Sequence, residues 1–525
     1  MTTREMSGLR SQIVRTCSLA AALAVTPAAL RADELETAVY PGLFAFADAK
    51  GGDHGAGHGG AGLDMSPEAK KVPFSRDVFK SDPRYEDVPY DAKAQEDIYG
   101  AKYKNATQRP LLELGREMYN FGPLQKPLTF LGETNPVEPQ FLVFGDFRTA
   151  IAYNDNGVTE QAIIAARLNL DLDLKITSTE RIHAFIRPLD KNNSFSRIEL
   201  GGTKNEGTEW ELDGNLDTIF FEGDVGSVLG GFSNTYSKFD MPITLGIIPL
   251  LFQNGVWVED AFAGMAITLP AMHSTTLDIS NFDITFFAAW DRVTTDAVPG
   301  ANHGVHLYGV TTFIEASEGY YEFGYGYIDD NTGSDLSYHN FTGAFTKRYF
   351  GWLSNSIRVV AAVGQDPAGG AARTADGVIL LLENSFITEN PSTVIPYVNF
   401  FLSKDRPQSL ARDAGAGGIL KNTGILFETD GLTGFPKMDD TGRDVVGFAA
   451  GLELLFNLDK QLVFEIAGLR KHGNDASAPG DQLGFGVRFQ IPINNAMIFR
   501  VDAMYAIRED ADNLSGIRAE YRFKF

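Results

Sequence analysis

The sequence predicts an all-β protein, a transmembrane antiparallel β-barrel of about 18 strands (roughly 16 to 20) that follows a mostly irregular amino-terminal extension. Three observations lead to this fold class. Apolar and polar residues alternate with period two from about residue 139 to the end, the connections between strands alternate between short and long, and none of the 525 residues belongs to an apolar run long enough for a membrane helix.

Composition excludes several other classes of protein. The chain is 44% hydrophobic and 11% aromatic with a single cysteine, which fits neither a disordered protein nor a disulfide scaffold. Its formal charge of -23 argues against a nucleic-acid partner, because a phosphate-binding surface is basic.

Residues 1–32 have the layout of a cleaved secretory signal peptide. Arg4, Arg10 and Arg15 form a cationic start, an apolar stretch follows to Leu30, and Ala32 offers a small residue at the cut. The only cysteine, Cys17, would leave with this segment. A chain without thiols suits an oxidising periplasm.

Residues 33–138 read as a periplasmic or plug-like extension, because they show no sustained alternation. Its Gly51–Gly62 stretch carries His54 and His58 beside Asp53, so it is either a flexible linker or part of a metal site.

A short helix is predicted over Arg109–Asn120, in the same extension. Leu111, Leu112, Leu114 and Met118 form a rough helical stripe there, with Pro110 near its start. This helix would either pack on the main domain or serve as a plug or docking element.

Residues 139–525 form the predicted barrel. In Arg167–Lys175 leucine occupies every second position, which gives a strand one apolar and one polar face. Such strands suit a soluble sandwich or a membrane barrel, and the turns favour the barrel. Leu458–Gln461 and Pro492–Asn495 are short, whereas Asp405–Gly442 is long, and in membrane barrels the short turns are periplasmic.

The last strand adds a resemblance. Tyr521, Phe523 and Phe525 place aromatic residues at alternate positions up to the carboxyl terminus. This pattern resembles the terminal signature of outer-membrane porin-type barrels, and the strand number and long loops are loosely similar to alginate-export and substrate-specific porins. The resemblance implies the outer membrane of a Gram-negative bacterium, with recognition by the barrel-assembly machinery.

Alternation also predicts which charged residues line the pore. They could select charged solutes, or they could simply form salt bridges with one another in a wet lumen. The candidates are Arg167, Asp171, Asp173, Arg488, Arg500, Asp502, Arg518, Glu520 and Arg522.

The long Asp405–Gly442 loop is a candidate constriction, because a loop of this length is either functional or disordered. Its candidate constriction residues are Arg406, Arg412, Lys421 and Lys437.

Asp329, Asn331 and Asp335 form a D-x-N-x-G-x-D spacing around Gly333, which resembles a calcium loop without its final glutamate. Such a loop could hold calcium that bridges lipopolysaccharide. The alternative is a plain acidic hairpin, and no other cofactor is predicted.

No nucleophile, metal-protease or phosphate-loop motif is found, so no enzyme is predicted. The expected function is a channel for passive diffusion of small hydrophilic solutes or ions, with membrane lipid and lipopolysaccharide as neighbours. The alternative is an export or scaffold barrel that docks a periplasmic partner through residues 33–138. A homo-oligomer is compatible with either.

Overall fold

The chain divides into two compact units, Met1–Thr107 and Gln108–Phe525. The computed structural model describes residues 109–116, 126–191, 194–201, 207–298, 300, 303–390, 393–429, 431–456 and 460–525, all in the second unit. The predicted signal peptide, the Gly51–Gly62 linker and its histidines lie outside the described residues and stay predictions.

The described residues form 23 strands and one α-helix. The strands are β1 Leu112–Gly115, β2 Gln140–Asp155, β3 Glu160–Lys175, β4 Arg181–Ile186, β5 Asp190–Lys191, β6 Ser194–Gly201, β7 Gly207–Glu209, β8 Leu216–Asp224, β9 Pro242–Phe252, β10 Val258–Ser274, β11 Ile279–Asp291, β12 Val305–Ala316, β13 Gly319–Asp330, β14 Tyr338–Tyr349, β15 Leu353–Val363, β16 Asp376–Phe386, β17 Val394–Arg406, β18 Ala411–Arg412, β19 Val445–Phe456, β20 Lys460–Lys471, β21 Gln482–Asn494, β22 Met497–Arg508 and β23 Leu514–Lys524. The helix α1 is Val225–Ser233, and short 3-10 turns lie at Ala368–Gly370, Ala414–Ala416 and Lys421–Thr423. None of the described helices is long and apolar enough to cross a bilayer.

These strands close into an antiparallel barrel with 18 wall positions, which confirms the predicted fold class and strand number. Each wall strand pairs with its neighbour along the chain, and β2 pairs with β23 from Asp146↔Lys524 to Asp155↔Ser515 to complete the ring. β4 and β6 together fill the third wall position, because each pairs with a different stretch of β3.

The two faces of the wall follow the alternation in the sequence. On β22, Tyr505 and Ile507 are exposed on the outer face, whereas Asp502 faces inward and is buried. The same division runs around the described wall, where exposed Phe400, Phe464 and Phe485 face outward. An apolar exterior of this kind is matched to lipid.

The helix predicted over Arg109–Asn120 is wrong for its described part, because Leu112–Gly115 forms strand β1. β1 pairs with β2 from Leu112↔Val143 to Gly115↔Gln140. The reason is a tertiary contact. The last residue of the chain, Phe525, bonds to Gly145 of β2, so the residues of β2 that come before Gly145 remain available to pair with another strand. The leucines at positions 112 and 114 also fit period two, and both are exposed beside Val143 and Phe141.

Candidate functional site

The barrel interior contains a hydrophobic core in which the long connection between β17 and β19 packs against inward-facing wall residues. We call residues 407–442 the lumen loop. Its Leu410, Leu420, Phe427 and Met438 are fully buried in one cluster with inward-facing wall residues. The Phe427 ring meets Phe401 of β17 edge to face, with centroids 5.7 Å apart.

Polar side chains of the wall hold the lumen loop by its backbone. Asn340 of β14 donates to the Gln408 carbonyl at 2.7 Å. Glu465 of β20 accepts hydrogen bonds from the backbone N–H groups of Ile425 and Leu426, each at 2.9 Å. Asn154 of β2 donates to the Thr433 carbonyl at 2.8 Å. These contacts satisfy buried backbone groups and fix the loop at several points around the barrel.

The tip of the β9–β10 hairpin, residues 253–257, packs against the same loop. Trp257 is fully buried, and its indole N–H donates to Asn340 at 2.9 Å. Gln253 accepts hydrogen bonds from Thr342 at 2.7 Å and from Arg358 at 2.8 Å, so the tip contacts β14 and β15 across the interior. The lumen loop and this tip therefore fill part of the lumen.

The four cationic constriction candidates are paired with acids. Lys421 lies 2.6 Å and Arg412 lies 3.5 Å from Glu259 of β10. Lys437 pairs with Asp440 inside the loop. These ion pairs join the loop to the hairpin or to itself. Arg412, Lys421 and Lys437 therefore help to hold the loop in place.

Arg406 lies elsewhere, because it ends β17 before the lumen loop begins. It pairs with Asp475 in the connection between β20 and β21. The hydrogen bond from Arg406 holds the pKa of Asp475 far below its usual range. Arg406 therefore joins the end of β17 to the β20–β21 connection at the rim of the barrel.

A charged cluster centred on Asp502 lies on the inner face of β21–β23. Asp502 accepts hydrogen bonds from Arg488 at 2.7 Å, from Arg500 at 2.8 Å and from Arg518 at 2.6 Å. Glu428 of the lumen loop pairs with Arg488 and lies 3.7 Å from Arg500. The loop thus places a carboxylate on a group of arginines that the wall provides.

A second charged group continues around the wall on β23 and β2. Arg522 lies 3.1 Å from Glu520, and Arg148 lies 2.5 Å from Asp146. The side chains of Arg148 and Arg522 keep 25% and 26% of their surface exposed.

On β3, Arg167 donates to Asn169 at 2.8 Å. Asp173 lies 3.5 Å from Arg181 and 3.6 Å from His183 of β4. The strand register puts Asp171 on the same inner face. The nine predicted pore residues therefore all lie on the inner face of one part of the barrel wall, from β21 through β23 to β3.

We call this group of charged residues, from β21 through β23 and β2 to β3, the charged arc. Sequence reasoning missed several of its members. Asp146 and Arg148 stand two residues apart in β2, so the alternation rule alone could have found them. Arg187, Asp190 and Glu428 lie outside regular alternation, and only the folded chain places Arg187 3.3 Å from Asp190.

The predicted calcium loop is a hairpin organised by Asp330. The Asp330 carboxylate accepts hydrogen bonds from the backbone N–H groups of Thr332 at 2.8 Å and Leu336 at 2.9 Å. Asp329 instead lies 4.0 Å from His306, whereas Asn331 contacts His306 at 3.3 Å. In the part of the chain that the structure describes, no group of three or more His, Cys, Asp or Glu side chains is placed to hold a metal ion.

The carboxy-terminal aromatic residues lie at the barrel closure. Tyr521 and Phe523 pair with Thr149 and Phe147 of β2. Phe525 exchanges two backbone hydrogen bonds with Gly145, at 3.0 and 2.8 Å.

The closed wall, its apolar exterior and its charged interior define a transmembrane antiparallel β-barrel.

Among solved structures, the chain is similar to OprD of Pseudomonas aeruginosa, with a TM-score of 0.48, 8% identity, and coverage of 73% of this chain and 93% of that one. It is also similar to OccK11 (OpdR) of Pseudomonas aeruginosa, with a TM-score of 0.46, 10% identity, and coverage of 73% and 96%. A third is Wzi of Escherichia coli, described as a carbohydrate-binding barrel of group 1 capsule assembly, with a TM-score of 0.44, 12% identity, and coverage of 73% and 84%. No family model and no curated protein matches the sequence.

Proposed function

We propose that this protein is an outer-membrane channel through which small hydrophilic solutes or ions diffuse passively along the charged arc of its lumen. The observation that carries the proposal is the division of the interior. The lumen loop and the hairpin tip form an apolar core, whereas Arg148, Arg522 and their neighbours keep part of their surface open to water. Charged, hydrated wall residues provide a path for polar solutes that an apolar core does not.

In this proposal the lumen loop narrows the channel. It is held to the wall by Asn340, Glu465 and Asn154, and it brings Glu428 to the arginines of β21 and β22. A solute that follows the charged arc therefore passes beside a carboxylate of the loop as well as the arginines of the wall.

Planar-bilayer recording of the purified full-length protein tests the proposal. Stable open-channel conductance is expected. Arg148→Gln and Arg522→Gln each remove one positive charge from the arc, so the reversal potential in a salt gradient should shift toward cation selectivity. Arg470→Gln is the matched control, since it removes the same charge from an exposed residue on the outer face of β20.

A protein that inserts, shows heat-modifiable migration and yet does not conduct would contradict the channel. That result would favour the export or scaffold barrel, whose proposed docking segment, residues 33–138, extends largely beyond the described residues. Equal reversal potentials in the wild type and in both lumen variants would place the ion path away from the charged arc.

A further inference from the structure

The connection between β8 and β9 differs from the short turns at the same end of the barrel. β8 and β9 pair as far as Asp224↔Pro242, and residues 225–241 between them contain α1. By comparison, the connection between β12 and β13 at this end consists only of Ser317 and Glu318. The added length therefore builds a structure beyond the barrel wall.

Helix α1 is firmly attached to the barrel. Asp224 caps its first turn by accepting a hydrogen bond from the Ser227 N–H at 2.6 Å. Asn234 ends it in the left-handed region and accepts from the Glu133 N–H at 2.8 Å. Thr134 donates to the Gly230 carbonyl at 3.0 Å. The segment before β2 thus holds the helix in place.

The glycines of α1 define its packed face. Gly226, Gly230 and Gly231 are buried, and a Cβ added to Gly231 would lie 2.3 Å from the Leu131 carbonyl oxygen. Only glycine permits this approach of two backbones. Within the described residues, Leu229 and Phe232 on the opposite face of the helix are exposed.

That opposite face is apolar. Val225, Leu229 and Phe232 recur at helical spacing, and α1 contains no charged residue. The segments that pack on α1 carry further exposed apolar residues, so that Phe232 of the helix is 66%, Phe130 before it is 70% and Tyr236 after it is 84% exposed. We call Leu128, Phe130, Leu229, Phe232, Tyr236 and Phe239 the periplasmic apolar patch.

The patch continues the lipid-facing surface of the barrel. Outward residues Ile219 and Phe221 on β8 lead by alternation to Val225, the first residue of α1. On β9, Leu245 pairs with Phe221 and is exposed on the same outer face.

We propose that the periplasmic apolar patch is a membrane-binding surface that inserts into the headgroup boundary of the periplasmic leaflet. An amphipathic helix with Leu and Phe on its free face binds lipid in this way, and tyrosine suits the membrane–water interface. The patch then fixes this side of the barrel relative to the phospholipid surface. This inference does not depend on the channel function.

The test uses a fluorescent probe on the full-length chain, with Cys17→Ser in the background so that only the introduced cysteine is labelled. Phe232→Cys carries an NBD label, and the protein is reconstituted in phosphatidylethanolamine–phosphatidylglycerol vesicles that contain a nitroxide-labelled lipid. Val158→Cys is the control, because Val158 is an exposed apolar residue in the β2–β3 turn at the other end of the barrel. Folding of each variant is checked by heat-modifiable migration.

The lipid nitroxide should quench the probe at position 232 severalfold more strongly than the probe at position 158, and aqueous iodide should show the reverse order. Equal iodide quenching at both positions would overturn the proposal. Protection at position 232 from both quenchers would also overturn it, because protein rather than lipid would then cover the patch. If labelling at position 232 breaks α1, Tyr236→Cys provides the same readout from a residue beyond the helix.

Discussion

At the residue scale, Glu180 shows how one buried carboxylate organises the end of the barrel that carries α1. Glu180 is 5% exposed and accepts hydrogen bonds from Asn135 at 2.9 Å, from Thr179 at 2.7 Å and from the Asp224 N–H at 3.2 Å. Burial alone would raise the pKa of Glu180, but the hydrogen bonds, those from Thr177 and Asn135 foremost, outweigh burial and lower it. Glu180 thus joins the β3–β4 turn to the start of α1 and to the segment before β2.

Because the pKa of folded Glu180 lies below its ordinary 4.5, its ionised form stabilises the folded state above that pH, and this contribution is lost as the pH falls through the folded value. Glu180→Ala should lower the free energy of unfolding by about 1–3 kcal/mol at pH 7, since buried donors lose their acceptor. It should also weaken the acid dependence of stability. Urea unfolding in lipid vesicles between neutral and acidic pH measures both.

The matched control is Glu389→Ala, which removes a carboxylate from an exposed turn residue at the same end of the barrel. A Glu180→Ala protein as stable as the control at pH 7 would contradict the assigned role.

At the scale of elements, the lumen loop and the β9–β10 tip support each other through shared wall residues. Asn340 contacts both, since it donates to Gln408 of the loop and accepts from Trp257 of the tip. Ser409 and Leu410 then bond to the backbone of Val256 and Trp257. The two elements therefore form one packed unit against β14.

Asn340→Ala should loosen this unit, because the Gln408 carbonyl and the Trp257 indole both lose a buried partner. We expect a loss of about 1–3 kcal/mol in unfolding free energy and more frequent conductance fluctuations in single-channel records. Asn355→Ala is the control, since Asn355 pairs at 2.8 Å with Asn384 on the outer face of the wall. Identical current noise in both variants would show that Asn340 does not restrain the loop.

At the scale of the whole molecule, one pair of strands distant in sequence closes the barrel. β2 and β23 meet along their lengths, and the terminal Phe525 extends their pairing to Gly145. Closure removes the two edges that an open sheet of this length would expose to lipid. The last residue thus contributes through its backbone as well as through its aromatic ring.

Deletion of Phe525 should reduce the fraction of heat-modifiable barrel recovered after refolding into vesicles, because both hydrogen bonds to Gly145 are lost. Phe525→Leu keeps the backbone and should refold like the wild type without the assembly machinery. In cells, Phe525→Leu should still lower the amount of assembled barrel if the ring is part of the recognition signal. Equal refolding of the deletion variant and the wild type would show that these bonds are dispensable for closure.

The sequence by itself determined the barrel, its approximate strand number and the inward face of strands such as β3 and β23. Period two is a local property, so the pattern around Leu168–Leu174 or Arg518–Arg522 reports which side chains face lipid and which face the lumen. It could not show what fills the lumen. Lys421 and Glu259 stand 162 residues apart, and their pairing depends on where the loop and the hairpin tip meet.

The tertiary structure alone decided the conformation of β1, the position of α1 and the partners of the charged residues. A leucine-rich segment became a strand because β2 offered it unpaired backbone groups. The glycines of α1 became a packed face because residues 131–135 and 235–239 lie against them. These outcomes depend on contacts between distant parts of the chain, and no local periodicity encodes such contacts.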